Sequence, residues 1–437
     1  MLKVAHITTV DASLKFLLLN QMLSLKKEGY SVTGISLPGA DVAAIEEAGI
    51  PHIPVRMTRN LTPLADLVSL WQLYRVMRRE RFSIVHTHTP KAGLLGQLAA
   101  RMAGVPLVIN TLHGFYFHDH MAAPWRYFYM AIEKIAAHCS DRIFSQNEED
   151  LHTAIREGIC KPEKIRLLGN GINIREFDPA RVRAADIVAT RKRFGIPADA
   201  PVVGFVGRLS ARRKGFLDFL AAARELSDRL PDVHFLIVGD PDKGKADAVE
   251  PSIAETYGVA ERCHFAGRIP NSDLPPIYKV MNVLALPSLF EGLPRVVMEA
   301  AAMGVPAVAT DVKGNREAIE PGRTGLLVPL GDVQALAAAM ERILTDARLT
   351  SGMSREARCL AVERFDEERV FATIKAEYHA LAGNSRISPN DDQSVQKYHA
   401  PDHSLPAATE HPPIMRGTSE LPVKVAGCPL SQPQNKS

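Results

Sequence analysis

Short runs rich in β-branched residues alternate with longer helical patterns along this chain, and the alternation happens twice. "KVAHITTV" leads into a helical run over 13–28, followed by "YSVTGIS" and "HIPVRM". A helix over 63–81 precedes "SIVHTHT", one over 93–102 precedes "LVINTLH", and one over 124–138 precedes "RIFSQN". The rhythm pauses at "LLGNGINIREFDP", where Gly169, Gly171, Asp178 and Pro179 punctuate the chain, and a charged segment follows over 181–193. It restarts at "PVVGFVG" and runs on through "VHFLIVG", "CHFAG", "VLALPS", "PAVAT" and "GLLVP". Strands separated by helices imply parallel sheets with right-handed crossovers. The expected fold class is therefore α/β, with two Rossmann-like doubly wound domains facing a cleft.

A length of 437 residues agrees, because it exceeds what one hydrophobic core serves. The expected division is a first domain over 1–170, a second over 171–365 and a C-terminal helix over 366–383 packing back on the first domain. The last stretch, 384–437, is rich in Pro, Ser, Gln, Asn and His and poor in large apolar residues, so it is expected to be disordered.

A hydrophobic fraction of 46% and a charged fraction of 23% describe an ordinary globular protein. A net charge of +3 lacks the concentrated basic face that nucleic acid needs. The five cysteines are scattered, with no C-x-x-C pair, which points to a reducing compartment rather than a disulfide or zinc framework. "MLKVAHITTV" enters a strand at once, without the pattern of a secretory leader. No stretch reaches the ~18 apolar residues of a membrane span. The expected location is cytoplasmic, at most peripheral to the inner face of the plasma membrane.

Open α/β sheets bind ligands at the carboxyl ends of their strands. One such loop is "GRLSARRKGF". Gly207 ends a strand, Arg208 follows, and Lys214 stands just before a helix. Glycine allows close backbone approach, while arginine and lysine supply a donor fork and a point charge suited to a diphosphate. The helix start adds free N–H groups. A solvated basic turn is the plainer reading. The other loop is "SLFEGLPRVVMEAAAMGVPAVATD", with Glu291 and Glu299 eight residues apart. Pro294 suits the first helical position, leaving the Gly292 and Leu293 N–H groups outward for an anion. Taken singly, Glu299 is a candidate for a helix–helix salt bridge, and Glu291 for a helix-start acid. Glu299 also sits in an apolar run, where a carboxylate needs a partner.

Together, "GR…RKGF" and "SLFEGLPRVVMEAAAMGVPAVATD" resemble the retaining GT-B glycosyltransferases, specifically glycosyltransferase family 4 with its E-x7-E motif, over about residues 1–380. The resemblance implies that Arg208 and Lys214 hold the donor diphosphate and that Glu299 takes the ribose hydroxyls. Glu291 would contact the transferred sugar, Gly207 and the amides of Gly292 and Leu293 would meet sugar or phosphate oxygens, and Arg268 and Ile269 of "FAGRIP" would present backbone to the base. In "NTLHGFYFHDH", His113 matches a family histidine over the donor sugar. His118 and His120 show no metal-ligand spacing. Asp11, His86, His88 and Lys91 are expected on the acceptor side, with Asp11–Ala12–Ser13 standing where many members have a Gly-Gly turn.

"TVD", "KAGLLGQLAARMAGVP" and "HGFYFHDH" look like the subgroup that builds polysaccharides and glycan intermediates on polyprenyl diphosphate. The implied reaction moves a hexose-type sugar from a nucleotide diphosphate sugar, UDP-linked, to a glycan or polyprenyl-diphosphate-linked acceptor. The anomeric configuration is retained, and neither cofactor nor metal is required. A nucleotide-sugar 2-epimerase on a similar two-domain frame is the alternative. A binding module would not need Arg208, Lys214, Glu291 and Glu299 intact, and a dinucleotide oxidoreductase would show G-x-G-x-x-G. Arg75, Arg78, Arg79 and Arg81 beside Trp71 and Tyr74, with Trp125, Tyr127, Phe128 and Tyr129, form a basic-aromatic set that fits an anionic lipid surface or, equally, a solvated helix.

Overall fold

A computed structural model describes residues 1–58, 60, 62–117, 121–242 and 244–384. The tail expected beyond them, and His118 and His120, lie outside the described residues. The first half folds into strands β1 (Lys3–Val10), β2 (Ser31–Leu37), β3 (His52–Pro54), β4 (Ile84–His88), β5 (Leu107–Leu112), β6 (Arg142–Ser145) and β7 (Ile165–Leu167), in the spatial order β3-β2-β1-β4-β5-β6-β7. The second half supplies β8 (Val202–Val206), β9 (His234–Val238), β10 (Cys263–Gly267), β11 (Val283–Leu286), β12 (Ala307–Thr310) and β13 (Gly325–Val328), ordered β10-β9-β8-β11-β12-β13. Pairing is parallel throughout both sheets. Helices cover both faces, which is why β4, β5, β8 and β11 are buried at every position and read as continuous runs.

Each sheet reverses its strand order once, between β1 and β4 and between β8 and β11. Ligand crevices open at such points. The loops leaving β1 and β4 therefore share one crevice edge, and those leaving β8 and β11 share another.

Local structure departs from the sequence reading at two loops. The helix after β1 begins at Asp11 and passes through a π-helical turn, Leu14–Leu18, before regular helix resumes at Leu19–Lys27. Leu14 and Leu18 anchor that turn in the core while Leu17 stays 39% exposed, a wide turn of the kind that collects at functional sites. The helix expected to start at Pro294 runs over Arg295–Ala302, with Pro294 extended at its cap.

At the far end, Ala347–Arg364 packs through Ala357, Leu360 and Ala361 on the second core. The chain then crosses back. Ile172 N–H donates to Phe365 O at 2.9 Å and Glu367 N–H donates to Ile172 O at 3.0 Å. The last helix, Glu367–Asn384, places Ile374 and Tyr378 in the first-domain core with Leu14 and Met22. The crossing needs Gly171, because a Cβ there would lie 2.5 Å from the Glu367 Cα.

Gly215 ties the two loops of the second crevice together. Its φ is +63°, and a Cβ would stand 1.8 Å from the Pro287 carbonyl oxygen at the end of β11. Gly215→Ala combines a disfavoured backbone with a clash against backbone. It should lower stability by about 2 kcal/mol or more, read as a fall in Tm. An unchanged Tm would mean that the two loops separate freely.

Candidate functional site

The loops after β8 and β11 meet through charge. Lys214 Nζ lies 2.5 Å from Glu291 Oε1, with both side chains largely buried. Arg208 Nη1 lies 2.7 Å from Asp242 Oδ2. The Phe216–Arg229 helix starts two residues after Lys214 with no side-chain cap; Phe216 N–H donates to Ser210 O at 3.1 Å, and the next N–H groups and the positive dipole end lie at the end of this loop. Two basic side chains, a helix start and a neighbouring carboxylate thus come together at the carboxyl ends of β8 and β11.

Glu299 is 4% exposed. The apolar run around it called for a pairing partner, and the protein supplies one. Tyr278 Oη donates to Oε2 at 2.8 Å. Arg295, one helical turn before it, sets Nε 3.8 Å from Oε1, longer than a hydrogen bond. Burial pushes the Glu299 carboxyl up, and the Arg295 charge opposes this. Tyr278 went unnoticed in the sequence because it lies 21 positions away. Arg295 was legible as an i,i+4 partner.

Beside Arg295 opens a cavity of about 410 Å³ between the halves, lined by Phe16, Asn20, Asp41, Arg268 and Pro270 among others. Arg268 stacks on the Phe16 ring at 4.6 Å and reaches Asp41 Oδ2 at 3.2 Å, so the loop after β10 is held against the first domain. Ile269 is buried beneath it.

The halves touch backbone to backbone at the other end. A Cβ on Gly292 would lie 2.4 Å from the His113 carbonyl oxygen, and one on Gly114 would lie 2.9 Å from the Gly292 Cα. Asn147 Nδ2 donates to Gly292 O at 2.8 Å, and Asn170 Nδ2 donates to Leu293 O at 3.1 Å. Arg316 pairs with Glu149 at 2.9 Å, and the Glu148 N–H donates to Glu317 at 2.8 Å. His113 thus sits directly against the loop that carries Glu291.

The four residues expected on the acceptor side are engaged inside the fold. Asp11 is buried, and its two oxygens accept the backbone N–H groups of Ala12 at 2.9 Å and Asp41 at 2.8 Å. Lys91 binds Asp66 at 2.6 Å and Thr58 at 2.7 Å, pinning the start of the Pro63–Glu80 helix. His86 and His88 are fully buried. His86 faces Tyr378 Oη and Thr111 Oγ1, each at 2.7 Å. In this arrangement none of the four presents a free polar atom to an acceptor.

The histidines instead form a chain. His6 Nδ1 lies 3.0 Å from His88 Nε2, and His88 Nδ1 lies 3.1 Å from His113 Nε2. His6 stands in register with His86 across β1 and β4, a signal visible as one histidine in each of two central strands. The chain ends at His6 Nε2, which is buried and unpartnered. An orphaned acceptor is tolerated better than an orphaned N–H. That preference favours protons on Nδ1 along the chain, which leaves the His113 Nδ1–H outside it. His6, His86 and His88 offer ring nitrogens within 4.8 Å of one another. The His86 and His88 rings are stacked with centroids 4.3 Å apart, however, so their in-plane lone pairs do not converge on one ion.

One more residue escaped the sequence reading. Thr89, at the end of β4, has φ +66°. A β-branched residue there is strained, and such strain marks functional sites.

This is the crevice of a GT-B glycosyltransferase, and the chain belongs to that family. Residues 200–346 match the family model "Glycosyl transferases group 1" and residues 18–171 match "Glycosyl transferase 4-like domain". Over 330 residues the chain is 32% identical to the Escherichia coli UDP-Gal:alpha-D-GlcNAc-diphosphoundecaprenol alpha-1,3-galactosyltransferase, covering 75% of this chain and 83% of that one. It is 27% identical to the capsular polysaccharide biosynthesis glycosyltransferase CapM of Staphylococcus aureus, over 88% and 98% of the two chains. Among solved structures, Anabaena HepE in complex with UDP-glucose superposes with a TM-score of 0.73 at 22% identity, over 87% of this chain and all of that one, which shows the shared fold.

Burial, with Arg295 nearby, pushes His113 down to about 4, and burial pushes His6 down to about 3. Both pKa values are depressed in the fold, so the unfolded chain takes up protons first. The stability these groups contribute is complete above pH ~6.5 and is lost as pH falls through about 4 for His113 and about 3 for His6. A His113 imidazole resonance that titrates near 4 is the expected outcome. A midpoint near 6.5 would detach it from the chain.

Proposed function

We propose that this protein transfers a hexose-type sugar from a UDP-linked donor to a polyprenyl-diphosphate-linked or glycan acceptor, with retention, in the assembly of a cell-surface polysaccharide. The observation that carries the reading is the Lys214–Glu291 pair at 2.5 Å beside Arg208 and an uncapped helix start. Breaking the anomeric bond gathers charge on the diphosphate. Lys214, Arg208 and the helix amides of the loop after β8 stabilise that charge by preorganised electrostatics. Glu291 holds Lys214 in place and orients the sugar, and His113 Nδ1–H donates to a sugar oxygen across the crevice.

Glu299 Oε1, with its nearest protein partner at 3.8 Å, takes a ribose hydroxyl while Tyr278 keeps the other oxygen. The base rests against the backbone of Arg268 and Ile269. The acceptor hydroxyl approaches on the departing diphosphate's face and gives its proton to a phosphate oxygen, so the mechanism assigns no step to a metal or cofactor. The printed activity of the Escherichia coli relative supports the UDP donor and the lipid-linked acceptor. The 2-epimerase reading rests on a likeness of fold alone, since a Listeria monocytogenes putative UDP-N-acetylglucosamine 2-epimerase superposes with a TM-score of 0.61 at 17% identity.

No helix among the described residues is long and apolar enough to cross a membrane. Leu64, Leu67, Val68 and Trp71 form an exposed stripe on the Pro63–Glu80 helix, with Arg75 over the Trp71 ring at 4.7 Å. Trp125, Tyr127 and Phe128 are exposed on the Ala123–Cys139 helix. These faces suit peripheral contact with the anionic inner face of the plasma membrane, where a lipid-linked acceptor resides.

A melting-shift screen of nucleotide sugars should pick out UDP-hexoses. A larger shift from GDP- or ADP-sugars would overturn the donor assignment. Lys214→Ala should lower turnover by roughly 10²–10³, as loss of one preorganised donor does. Near-normal turnover would remove Lys214 from the diphosphate site. Co-sedimentation with anionic vesicles should fall when Trp71 and Trp125 are both changed to serine. Equal sedimentation of wild type and variant would place membrane contact elsewhere.

A further inference from the structure

A second, smaller cavity lies on the first-domain side of the crevice, between the Pro90–Ala103 and Ala123–Cys139 helices and the ends of β4 and β5. Thr89, Gln97, Asn110, His113 and Glu133 line it, and its volume of about 20 Å³ admits one oxygen-sized group. Two of its polar groups lack a protein partner among the described residues. Gln97 is 1% exposed, and Ser140 Oγ donates to its Oε1, which turns Nε2 away with no acceptor. Glu133 has no hydrogen bond or ion pair among the described residues, while its neighbour Asp150 is bound by Asn147 and approached by Lys313 at 3.7 Å. The strained Thr89 closes the mouth, its hydroxyl held to that of Thr9 at 3.0 Å.

Resting on the transferase reading above, we infer that this cavity is the subsite for an acceptor hydroxyl, with Glu133 accepting the hydroxyl's hydrogen bond and the Gln97 Nε2–H donating to its oxygen. A carboxylate facing an amide donor is the complement of one O–H group, which both gives and takes a hydrogen bond. His113 borders this cavity and the Glu291 loop alike, so a hydroxyl held here lies on the donor side of the first domain.

Energetics separate this reading from a structural one. Burial, reinforced by Asp150, pushes the Glu133 carboxyl up to about 7, so its ionised form weakens the fold. The unpaired Gln97 amide costs stability as well. Neither group earns its place through stability. Glu133→Gln and Gln97→Leu should therefore each raise Tm at pH 7.5, yet raise the KM for the acceptor about tenfold or more.

GlcNAc-diphosphoundecaprenol with UDP-galactose serves as the probe pair, and the melting shift given by UDP alone should be the same in wild type and both variants. An unchanged acceptor KM in both variants overturns the subsite and leaves the transferase reading standing. A lower Tm in both also overturns it, whatever the acceptor, because the groups would then be structural. A wild type that neither binds UDP nor turns over any nucleotide sugar refutes the transferase reading itself, and the subsite falls with it.

Discussion

The site depends on one backbone contact without side chains. Gly292, on the loop that carries Glu291, packs against the His113–Gly114 peptide of the first domain and, on its other side, against Gly314 of the second. A Cβ on Gly314 would lie 2.1 Å from the Gly292 carbonyl oxygen. With no Cβ at these positions, the loops after β5, β11 and β12 come within van der Waals distance. Asn147 and Asn170 then hydrogen-bond across the gap. That approach puts His113 above Glu291 and leaves the Lys214 loop underneath.

Around this contact, polar groups are paired unequally. Glu299 has Tyr278 on one oxygen and only a distant Arg295 on the other. Lys214 and Glu291 neutralise each other in a place where a charged ligand would compete for both. The histidine chain is satisfied at every link except its far end, away from the crevice. Gln97 Nε2 is left unsatisfied where the crevice meets the first sheet, and the half-buried Glu133 stands beside it without a protein partner among the described residues. Fully paired groups such as Asp11 and Lys91 hold loops in position, and the partly paired ones are those to which the proposed function assigns a ligand.

Much of the fold was legible because parallel strands buried on both faces announce themselves as short apolar runs between helices. Both sheets are of that kind. The Arg208/Lys214 and Glu291/Glu299 loops stood out because glycine, proline and charge cluster there. Asp11, His86, His88 and Lys91, expected on the acceptor side, make their hydrogen bonds inside the fold. A histidine on a strand shows a face in the sequence but not whether that face is covered, and Tyr378, 292 positions from His86, covers it. Gln97 and Glu133 gave no signal, since each is an ordinary polar residue on a helix until two helices enclose them.

The sequence by itself determined the two parallel sheets, the loops at their switch points and the family, because periodicity and local turn chemistry act over a few residues. Only the tertiary structure decided which polar groups face the crevice and which spend their hydrogen bonds inside. That choice rests on partners such as Tyr278 for Glu299, Tyr378 for His86 and Gly292 for His113. They lie 21 to 292 positions apart along the chain or across the two halves, and only the completed packing brings them within bonding distance.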